Sequence, residues 1–324
     1  MTIPDFSDVV KAQALISAYV HRTPVMSAES IDRLTGSRLF FKCENFQKVG
    51  AFKFRGACNA VFSLTDEEAA RGVATHSSGN HAAALALAAR MRGIPAYIVM
   101  PRSAPGIKKV AVAGYGGNIT LCEPTLQARE STLAQVVART GAAEIHPYDN
   151  FRVIAGQGTA AKELIEDTGD LDIVMTPVGG GGLLSGSALS AKAMLPGCRV
   201  IAAEPAGADD AYRSFHAKTI IPSENPRTIA DGLLTSLGKR NFAVIMEHVD
   251  DIVTVSEENI VKAMRMIWER MKIIIEPSSA VPLGAILEHP SLFAGKKTGI
   301  ILSGGNLDLD HLPFADFSPS GQTF

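Results

Sequence analysis

The sequence is short of cysteine, of excess charge of either sign and of long apolar runs. Its four cysteines form no Cys-x-x-Cys pair, which predicts reduced thiols in a cytoplasmic protein; they are Cys43, Cys58, Cys122 and Cys198. A formal net charge of -2 provides no basic surface for nucleic acid or an anionic membrane. No apolar run approaches the ~20 residues that span a bilayer, and the N-terminus lacks the features of a secretory signal. We therefore expect neither nucleic acid nor a membrane as a partner.

What the sequence does contain is typical of a soluble α/β protein. Of its 324 residues 46% are hydrophobic and 29 are glycine, and this length allows two domains. Short apolar runs without polar alternation predict strands that are buried on both faces, as in parallel sheets. The predicted strands are 39–43, 72–75, 96–100, 118–121, 173–178, 199–203, 252–255 and 298–303, and the predicted helices are 6–21, 56–64, 80–91, 105–113, 126–139, 155–168, 183–194, 257–272 and 279–288. Residues 216–228, rich in proline and polar groups, predict a surface loop.

Lys53 lies between Phe52 and Phe54. Neighbouring aromatic rings hold an amine partly out of water, which lowers its pKa and makes it a better nucleophile. The predicted start of a helix nearby also disfavours the ammonium form, because the N-terminal end of a helix dipole is positive. This is the chemistry of a lysine that forms a Schiff base. The alternative is a surface lysine whose stem covers apolar groups and whose ammonium reaches solvent.

Four consecutive glycines, Gly179 to Gly182, stand between a predicted buried strand and a predicted helix. Glycine leaves successive backbone N–H groups free to converge on an anion, and the following helix adds its positive N-terminal end. The pattern predicts a phosphate-binding loop. A flexible linker is the alternative, although linkers rarely connect a strand to a helix without polar residues.

A second polar turn, His76-Ser77-Ser78-Gly79-Asn80-His81, also lies between a predicted strand and a predicted helix. Hydroxyl, amide and N–H groups at the start of a helix point at one small volume, which suits a carboxylate or a phenolate. The alternative is an ordinary helix cap, with Ser78 or Asn80 as the capping residue.

Four motifs occur in the order found in a known family. They are Asn-Phe-Gln-x-x-Gly-x-Phe-Lys-x-Arg-Gly-Ala around Lys53, Ser-Ser-Gly-Asn-His at 77–81, the tetraglycine, and Ser-Gly-Gly-Asn at 303–306. In order and spacing the sequence resembles the pyridoxal-phosphate enzymes of the threonine dehydratase and serine racemase family, which includes 3-hydroxyaspartate ammonia-lyases. The resemblance covers nearly the whole chain.

This resemblance implies the fold of tryptophan synthase β-like enzymes, an α/β fold with two open twisted parallel-sheet domains. The active site would lie between the domains, at the carboxyl ends of strands. The large domain is expected to comprise residues 1–70 and 148–324, and the small domain residues 71–147. A homodimer is implied as well. Because the sequence ends soon after the last motif, we expect no C-terminal regulatory domain.

The resemblance further implies which residues hold pyridoxal 5'-phosphate. Lys53 would form the Schiff base and then take the substrate's Cα proton, and Phe52 would lie beneath the cofactor ring. Ser303 would face the pyridine nitrogen as a neutral partner that does not force its protonation, which suits elimination. The remaining implied contacts are the phosphate loop Gly179, Gly180, Gly181, Gly182 and Leu183, Asn80 on the phenolic oxygen, and Glu276 near the ring.

The substrate would be a small amino acid whose carboxylate is bound by the turn at 77–81. The candidates are Ser77, Asn80 and His81, with Arg129 as a second anchor; a solvated arginine on a helix face is the alternative for Arg129. In serine racemases a serine at the position of Ser78 moves a proton on the face opposite the lysine. Ordinary dehydratases of the family also have this serine, so its presence does not decide between the two activities.

An acidic turn, Glu204 to Asp210, follows the predicted strand 199–203. Two carboxylates and a carbonyl suit a hard cation such as Mg²⁺ or Ca²⁺, or Mn²⁺. The resemblance points to Glu204, the carbonyl of Ala208 and Asp210, in a structural role; a solvated acidic turn is the alternative. His76 and His81 have no further ligands nearby in the sequence, so we expect no zinc site.

The leading hypothesis is a pyridoxal-phosphate ammonia-lyase that converts L-serine, L-threonine or 3-hydroxyaspartate to a 2-oxo acid and ammonia. Racemisation of serine, with Ser78 as the second base, is the nearest alternative. A nicotinamide oxidoreductase is a remote one, since Gly-x-Gly-x-x-Gly with a later acidic ribose ligand is missing. A non-enzymatic binding module is disfavoured, because Lys53, the phosphate loop and Ser303 are all present.

Overall fold

The structure is a computed structural model that describes residues 2–314. Its ten strands are β1 (Val25–Met26), β2 (Arg38–Cys43), β3 (Val73–His76), β4 (Ala96–Pro101), β5 (Gly117–Cys122), β6 (Ala143–Glu144), β7 (Ile173–Pro177), β8 (Arg199–Pro205), β9 (Asp251–Val255) and β10 (Lys297–Leu302). Its helices are α1 (Phe6–Ile16), α2 (Glu29–Thr35), α3 (Lys53–Phe62), α4 (Asp66–Ala70), α5 (Asn80–Arg92), α6 (Gly106–Gly114), α7 (Leu126–Thr140), α8 (Phe151–Thr168), α9 (Gly182–Met194), α10 (Asp210–Ala217), α11 (Lys239–His248), α12 (Glu257–Met271), α13 (Pro277–Glu288) and α14 (Pro290–Phe293).

The strands form two sheets. One has six strands in the order β1-β2-β10-β7-β8-β9, and the other has four in the order β5-β4-β3-β6. Every pair is parallel except β1 with β2, which is antiparallel. The predicted α/β fold with two parallel sheets is thereby confirmed. The domain boundaries at 70/71 and 147/148 stay a prediction, and residues 1 and 315–324 of the predicted large domain lie outside the described residues.

Helices cover both faces of each sheet, as strands without polar alternation require. In the larger sheet, α12 and α13 pack on one face and α8 and α9 on the other, with Met175 and Val174 buried on opposite sides of β7. In the smaller sheet, α5 and α6 cover one face and α7 the other. Helix α3 contacts α5 and α8, so it lies between the two units.

Helices α8 and α9 approach each other very closely. A Cβ at Gly186 would stand 2.5 Å from the Gly158 nitrogen, so only glycine permits the contact. The approach fixes α9 against the larger sheet. Because α9 begins at Gly182, the same contact positions the loop of four glycines.

A buried group of charges anchors the start of α3. The guanidinium of Arg55 is fully buried and donates to Glu44 at 2.7 and 2.8 Å and to Glu163 at 2.8 Å. The Nζ of Lys42 lies 2.7 Å from Glu163, so two cations balance two carboxylates. These contacts join α3 to β2 and α8, and Lys53 is the first residue of α3.

Several predicted elements differ from the observed ones. Helix α8 begins at Phe151, not 155, because the Asn150 side chain caps it by accepting from the N–H groups of Arg152 and Val153. Helices α2, α4, α10, α11 and α14 and the two-residue strands β1 and β6 were not predicted. Among residues 2–314, no helix is long and apolar enough to cross a membrane.

Candidate active site

The four sequence motifs meet between the two sheets. The tetraglycine follows the carboxyl end of β7, Ser303 follows that of β10, and Ser77 follows that of β3. The Phe52 N–H donates to the Ser303 carbonyl at 3.0 Å, and the Gly305 N–H donates to the Gly50 carbonyl at 2.9 Å. The lysine segment and the Ser-Gly-Gly-Asn segment are therefore hydrogen-bonded to each other.

The Lys53 amine is held by one carbonyl and one aromatic ring. Its Nζ donates to the Pro147 carbonyl at 3.0 Å and lies 5.1 Å from the centroid of the Phe52 ring. Burial lowers the pKa of Lys53 to about 8, and the nearby charge of Glu276 opposes this shift. The direction is the one that the flanking phenylalanines predict. At neutral pH such an amine loses its proton more readily than a surface lysine does.

The glycine loop forms a cradle that larger residues would fill. A Cβ at Gly180 would stand 2.3 Å from the Tyr148 ring, and Gly181 adopts a φ of +90°, which favours glycine. Of the backbone hydrogen bonds outside helices and strands in residues 2–314, none is donated by the N–H groups of Gly179 to Gly182. N–H groups without a backbone acceptor at the start of α9 are the donors that a phosphate site requires.

Ser303 and Ser279 form a buried pair of hydroxyls. Ser303 is 3% exposed and follows β10, and Ser279 lies in the first turn of α13. Their Oγ atoms are 3.1 Å apart. The Ser303 hydroxyl thus has a fixed neighbour that the sequence motifs did not indicate.

Asn80 joins the two sheets through its side-chain amide. Its Nδ2 donates to the Glu276 carboxylate at 3.0 and 3.2 Å, and its Oδ1 accepts from Asn306 Nδ2 at 3.0 Å. Glu276 also accepts from the Asn306 N–H at 3.0 Å. Burial raises the pKa of Glu276 to about 7, with the charge of Asp231 acting in the same direction. Glu276 therefore orients Asn80, and its place beside the cofactor ring stays a prediction.

The turn after β3 places Ser77 and Ser78 half-buried at this site. His81 is buried, and its Nε2 lies 3.3 Å from the Ile145 carbonyl, which can only accept, so Nε2 carries the proton. Burial lowers the pKa of His81 well below its usual range. The ring is then neutral with its N–H already used, so the side-chain geometry does not support the predicted contact with a substrate carboxylate.

Two residues at the site were missed by sequence reasoning, His146 and Tyr148. The His146 Nδ1 accepts from the Asp149 N–H at 2.9 Å, and burial lowers the pKa of His146 to about 4. The ring is therefore neutral with its proton on Nε2. Tyr148 packs edge-on against His146 at 4.5 Å and lies against Gly180. The sequence offered little sign that these two residues follow a strand, because β6 before them has only two residues.

Arg129 lies on α7, half-buried, on the side of the smaller sheet. Its Nε donates to the Thr125 carbonyl at 3.4 Å. Its charge contributes, after burial, to a lowered pKa of His76. Arg129 is thus near the polar turn, where a cation can attract an anionic substrate, and its role stays a prediction.

The acidic turn brings Glu204 and Asp210 together. Both side chains are fully buried, and burial raises the pKa of Glu204 to about 9. Glu204 accepts from the N–H groups of Ala211 and Tyr212 at 3.0 and 2.8 Å. Within residues 2–314 no donor has ordinary hydrogen-bond geometry to Asp210; the Ser223 hydroxyl and the Leu237 N–H are near enough to oppose the effect of burial, which raises the pKa of Asp210 to about 6. In the same range no three His, Cys, Asp or Glu side chains form a metal-binding group. Two carboxylates with the buried Ala208 remain a possible oxygen donor set.

Comparison with known proteins agrees with this arrangement. The chain is 54% identical to the β-hydroxyaspartate dehydratase of Paracoccus denitrificans (strain Pd 1222) over 97% of this chain and 100% of that protein. It is 49% identical to the L-threo-3-hydroxyaspartate ammonia-lyase of Saccharomyces cerevisiae over 95% of both chains. The crystal structure of serine racemase from Dictyostelium discoideum superposes with a TM-score of 0.91 at 51% identity, over 94% of this chain and 99% of that one.

A model of one protein family covers most of the sequence. It is described as "Pyridoxal-phosphate dependent enzyme" and matches residues 16–304, from the end of α1 to Gly304. All four motifs around the site lie within that range, apart from Gly305 and Asn306. The protein therefore belongs to the family of pyridoxal-phosphate dependent enzymes.

Proposed function

We propose that this protein is an ammonia-lyase that eliminates the β-hydroxyl group of a small β-hydroxy amino acid. The substrate loses water, and its unsaturated product takes up water again to release a 2-oxo acid and ammonia. The observation that carries the proposal is the Lys53 amine, with its lowered pKa, beside a glycine loop whose N–H groups are free for an anion.

The residues fit pyridoxal phosphate, because glycine N–H groups and the start of α9 suit its phosphate. When bound, the cofactor supplies an electron sink for the charge left at the substrate's Cα. Lys53 takes the Cα proton at Nζ, a role worth on the order of 10² to 10⁴ in rate. Phe52 and Ser303 would hold the cofactor ring, Ser303 at the ring nitrogen. The other proposed cofactor contacts are Gly179, Gly180, Gly181, Gly182, Leu183, Asn80 and Glu276.

Among substrates, 3-hydroxyaspartate is supported by two relatives whose names specify it, at 54% and 49% identity. L-serine and L-threonine are the other candidates. Ser77 and Asn80 bind the α-carboxylate, and Arg129 on α7 attracts the second carboxylate of 3-hydroxyaspartate. Of the three candidates only 3-hydroxyaspartate has a second carboxylate. A cation at Arg129 that attracts this group would therefore favour 3-hydroxyaspartate over L-serine and L-threonine.

Serine racemisation is a second candidate, since serine racemases are among the relatives, at 50% identity for the Dictyostelium discoideum protein. Both activities begin with loss of the same Cα proton. Ser78, half-buried beside Ser77, is the candidate to return a proton on the face opposite Lys53. A racemase would yield D-serine beside the 2-oxo acid.

A divalent cation at Glu204, Ala208 and Asp210 is also proposed. The support is that two carboxylates, Glu204 and Asp210, are buried close together with raised pKa values, which is costly unless a cation balances their charge. Mg²⁺, Ca²⁺ and Mn²⁺ all prefer such oxygen ligands. We further propose a homodimer in the cytoplasm; the four buried, unpaired cysteines suit a reducing compartment.

The proposal is tested by product analysis. The protein, supplied with pyridoxal phosphate, is incubated separately with L-threo-3-hydroxyaspartate, L-serine and L-threonine. The ammonia and the 2-oxo acid released are then measured, and elimination predicts equal amounts of the two. Chiral chromatography of the serine sample measures D-serine. We expect elimination that Lys53→Ala abolishes, with 3-hydroxyaspartate turned over fastest. Racemisation without ammonia release, or turnover by Lys53→Ala, would contradict the proposal.

A further inference from the structure

Ser279 makes three hydrogen-bonding contacts that together determine where its proton lies. Its Oγ is fully buried, 2.6 Å from the Gly304 carbonyl, 2.7 Å from the Gly304 nitrogen and 3.1 Å from Ser303 Oγ. All three contacts come from the segment directly after β10. They lock the first turn of α13 to that segment.

Two assignments satisfy the donors and acceptors of these groups, because the Gly304 carbonyl also accepts from the Glu276 N–H, and the distances favour one of them. A backbone N–H only donates and a carbonyl only accepts, whereas a serine hydroxyl has one proton and two lone pairs. The Gly304 N–H therefore donates to Ser279 Oγ, and the Ser279 proton goes to the Gly304 carbonyl, the shorter of its two possible contacts. The remaining lone pair of Ser279 faces Ser303 Oγ, so the Ser303 proton is donated to Ser279.

We propose that Ser279 is a positioning residue that holds the Ser303 proton, so that Ser303 faces the cofactor's ring nitrogen as an acceptor and favours its protonated form. The inference rests on the proposed function, in which Ser303 contacts that nitrogen. An acceptor stabilises a protonated nitrogen, whereas a donor stabilises an unprotonated one. The neutral Ser303 hydroxyl would then strengthen the cofactor ring as an electron sink, because it favours the protonated ring nitrogen.

This role has a consequence for the product. When bound, a cofactor with a protonated ring nitrogen would draw more charge away from the substrate's Cα, which would slow departure of the hydroxyl. A proton would then have more time to return to Cα. Loss of Ser279 is therefore expected to lower the ratio of D-serine to pyruvate formed from L-serine.

The test measures the ring nitrogen directly, by NMR of the protein loaded with ¹⁵N-labelled pyridoxal phosphate and titrated with acid and base. Three variants are compared with the native chain: Ser303→Ala, Ser279→Ala and Ser279→Thr. In Ser303→Ala the acceptor is lost, and in Ser279→Ala the Ser303 proton is free to turn to the nitrogen. The matched control is Ser278→Ala, an equally buried serine in the same turn, whose Oγ accepts from the Gly232 N–H instead.

We expect the titration midpoint of the nitrogen to fall in the order native, Ser303→Ala, Ser279→Ala, each step about half to one pH unit, the worth of one hydrogen bond. Ser279→Thr, which keeps the hydroxyl, restores the native midpoint, and Ser278→Ala leaves it unchanged. The direction in which the titration midpoint shifts in Ser303→Ala tests the inference even if Ser279→Ala does not fold. A midpoint that rises in Ser303→Ala would overturn the inference while the proposed function stands. A native protein that binds no cofactor would overturn both.

Discussion

At the scale of single residues, burial and the helix dipole both favour the neutral form of the Lys53 amine. Burial lowers its pKa to about 8 from the 10.5 of an unperturbed lysine. Between these two values the Lys53 amine is free while exposed lysines remain protonated. The first turn of α3 adds its positive end in the same direction.

This difference predicts a selective reaction of the cofactor-free protein. Trace labelling with acetic anhydride, followed by peptide mass spectrometry, gives the labelling rate of each lysine as a function of pH. We expect the Lys53 rate to rise with a midpoint of about 8. Lys11, whose side chain is 73% exposed, serves as the control. Equal midpoints for the two lysines would contradict the assigned environment of Lys53.

Single residues were predictable where the sequence itself creates the environment. Lys53 lies between two phenylalanines, and the four glycines predict a backbone that can approach an anion closely. His146 and Tyr148 could not be predicted, because contacts with distant residues such as Gly180 bring them to the site. For the same reason the sequence did not reveal that the His81 N–H is used by Ile145.

At the scale of elements, the loop between β7 and α9 is restricted by the ring of Tyr148. An alanine Cβ at Gly180 would stand 2.3 Å from this ring, so the loop or the ring must move. We expect Gly180→Ala to weaken pyridoxal-phosphate binding about ten- to a hundredfold, measured by fluorescence titration of the cofactor-free protein. Gly197→Ala is the control, since a Cβ there meets nothing within 4 Å. Unchanged affinity in Gly180→Ala would exclude this loop as the phosphate site.

The start of α3 depends on the buried charges around Arg55. Arg55→Met would leave Glu44 and Glu163 with a single balancing cation, Lys42, in a buried volume. We expect a loss of about 3–5 kcal/mol in the free energy of unfolding, measured by urea titration. Arg33→Met removes an ion pair with Glu29 whose side chains are 76% and 85% exposed, and we expect almost no change. Similar small losses in both variants would contradict the anchoring role.

The elements themselves were predictable where the apolar pattern is long, as in β10 and α12. Helices α10 and α11 were missed, and both are short, with eight and ten residues. Helix α11 packs on α9 through Val244 and Ile245, a contact that only the fold creates. Strand β1 has two residues, too few for a period-two pattern to appear.

At the scale of the whole molecule, the two sheets are joined across the site by polar contacts. Asn80 on α5 binds Glu276 before α13 and Asn306 after β10. Lys108 on α6 forms an ion pair with Asp231 on the side of the larger sheet. These contacts hold the smaller sheet's polar turn and α6 against the segments before α13 and after β10 and against Asp231. The sequence indicated the active site between domains only through the family resemblance.

The proposed cation would stabilise the larger unit at Glu204 and Asp210, next to β8. A ligand present at a hundred times its dissociation constant stabilises the folded state by ~2.7 kcal/mol. We expect Mg²⁺, Ca²⁺ or Mn²⁺ to raise the melting temperature of the native protein, and a chelator to reverse it. Asp210→Ala should abolish this response, whereas Asp209→Ala, which removes a half-exposed partner of Arg213, should keep it. A response that survives in Asp210→Ala would place the cation elsewhere.

The most direct measurement is to identify the residue that bonds to the cofactor. The protein loaded with pyridoxal phosphate is reduced with borohydride, digested and analysed by mass spectrometry. A lysine that holds the cofactor through a reducible bond retains a phosphopyridoxyl group after this treatment. We predict the group on Lys53 and its absence from the neighbouring Lys48. A protein that retains no label, or carries it on another lysine, would contradict the assignment of this site.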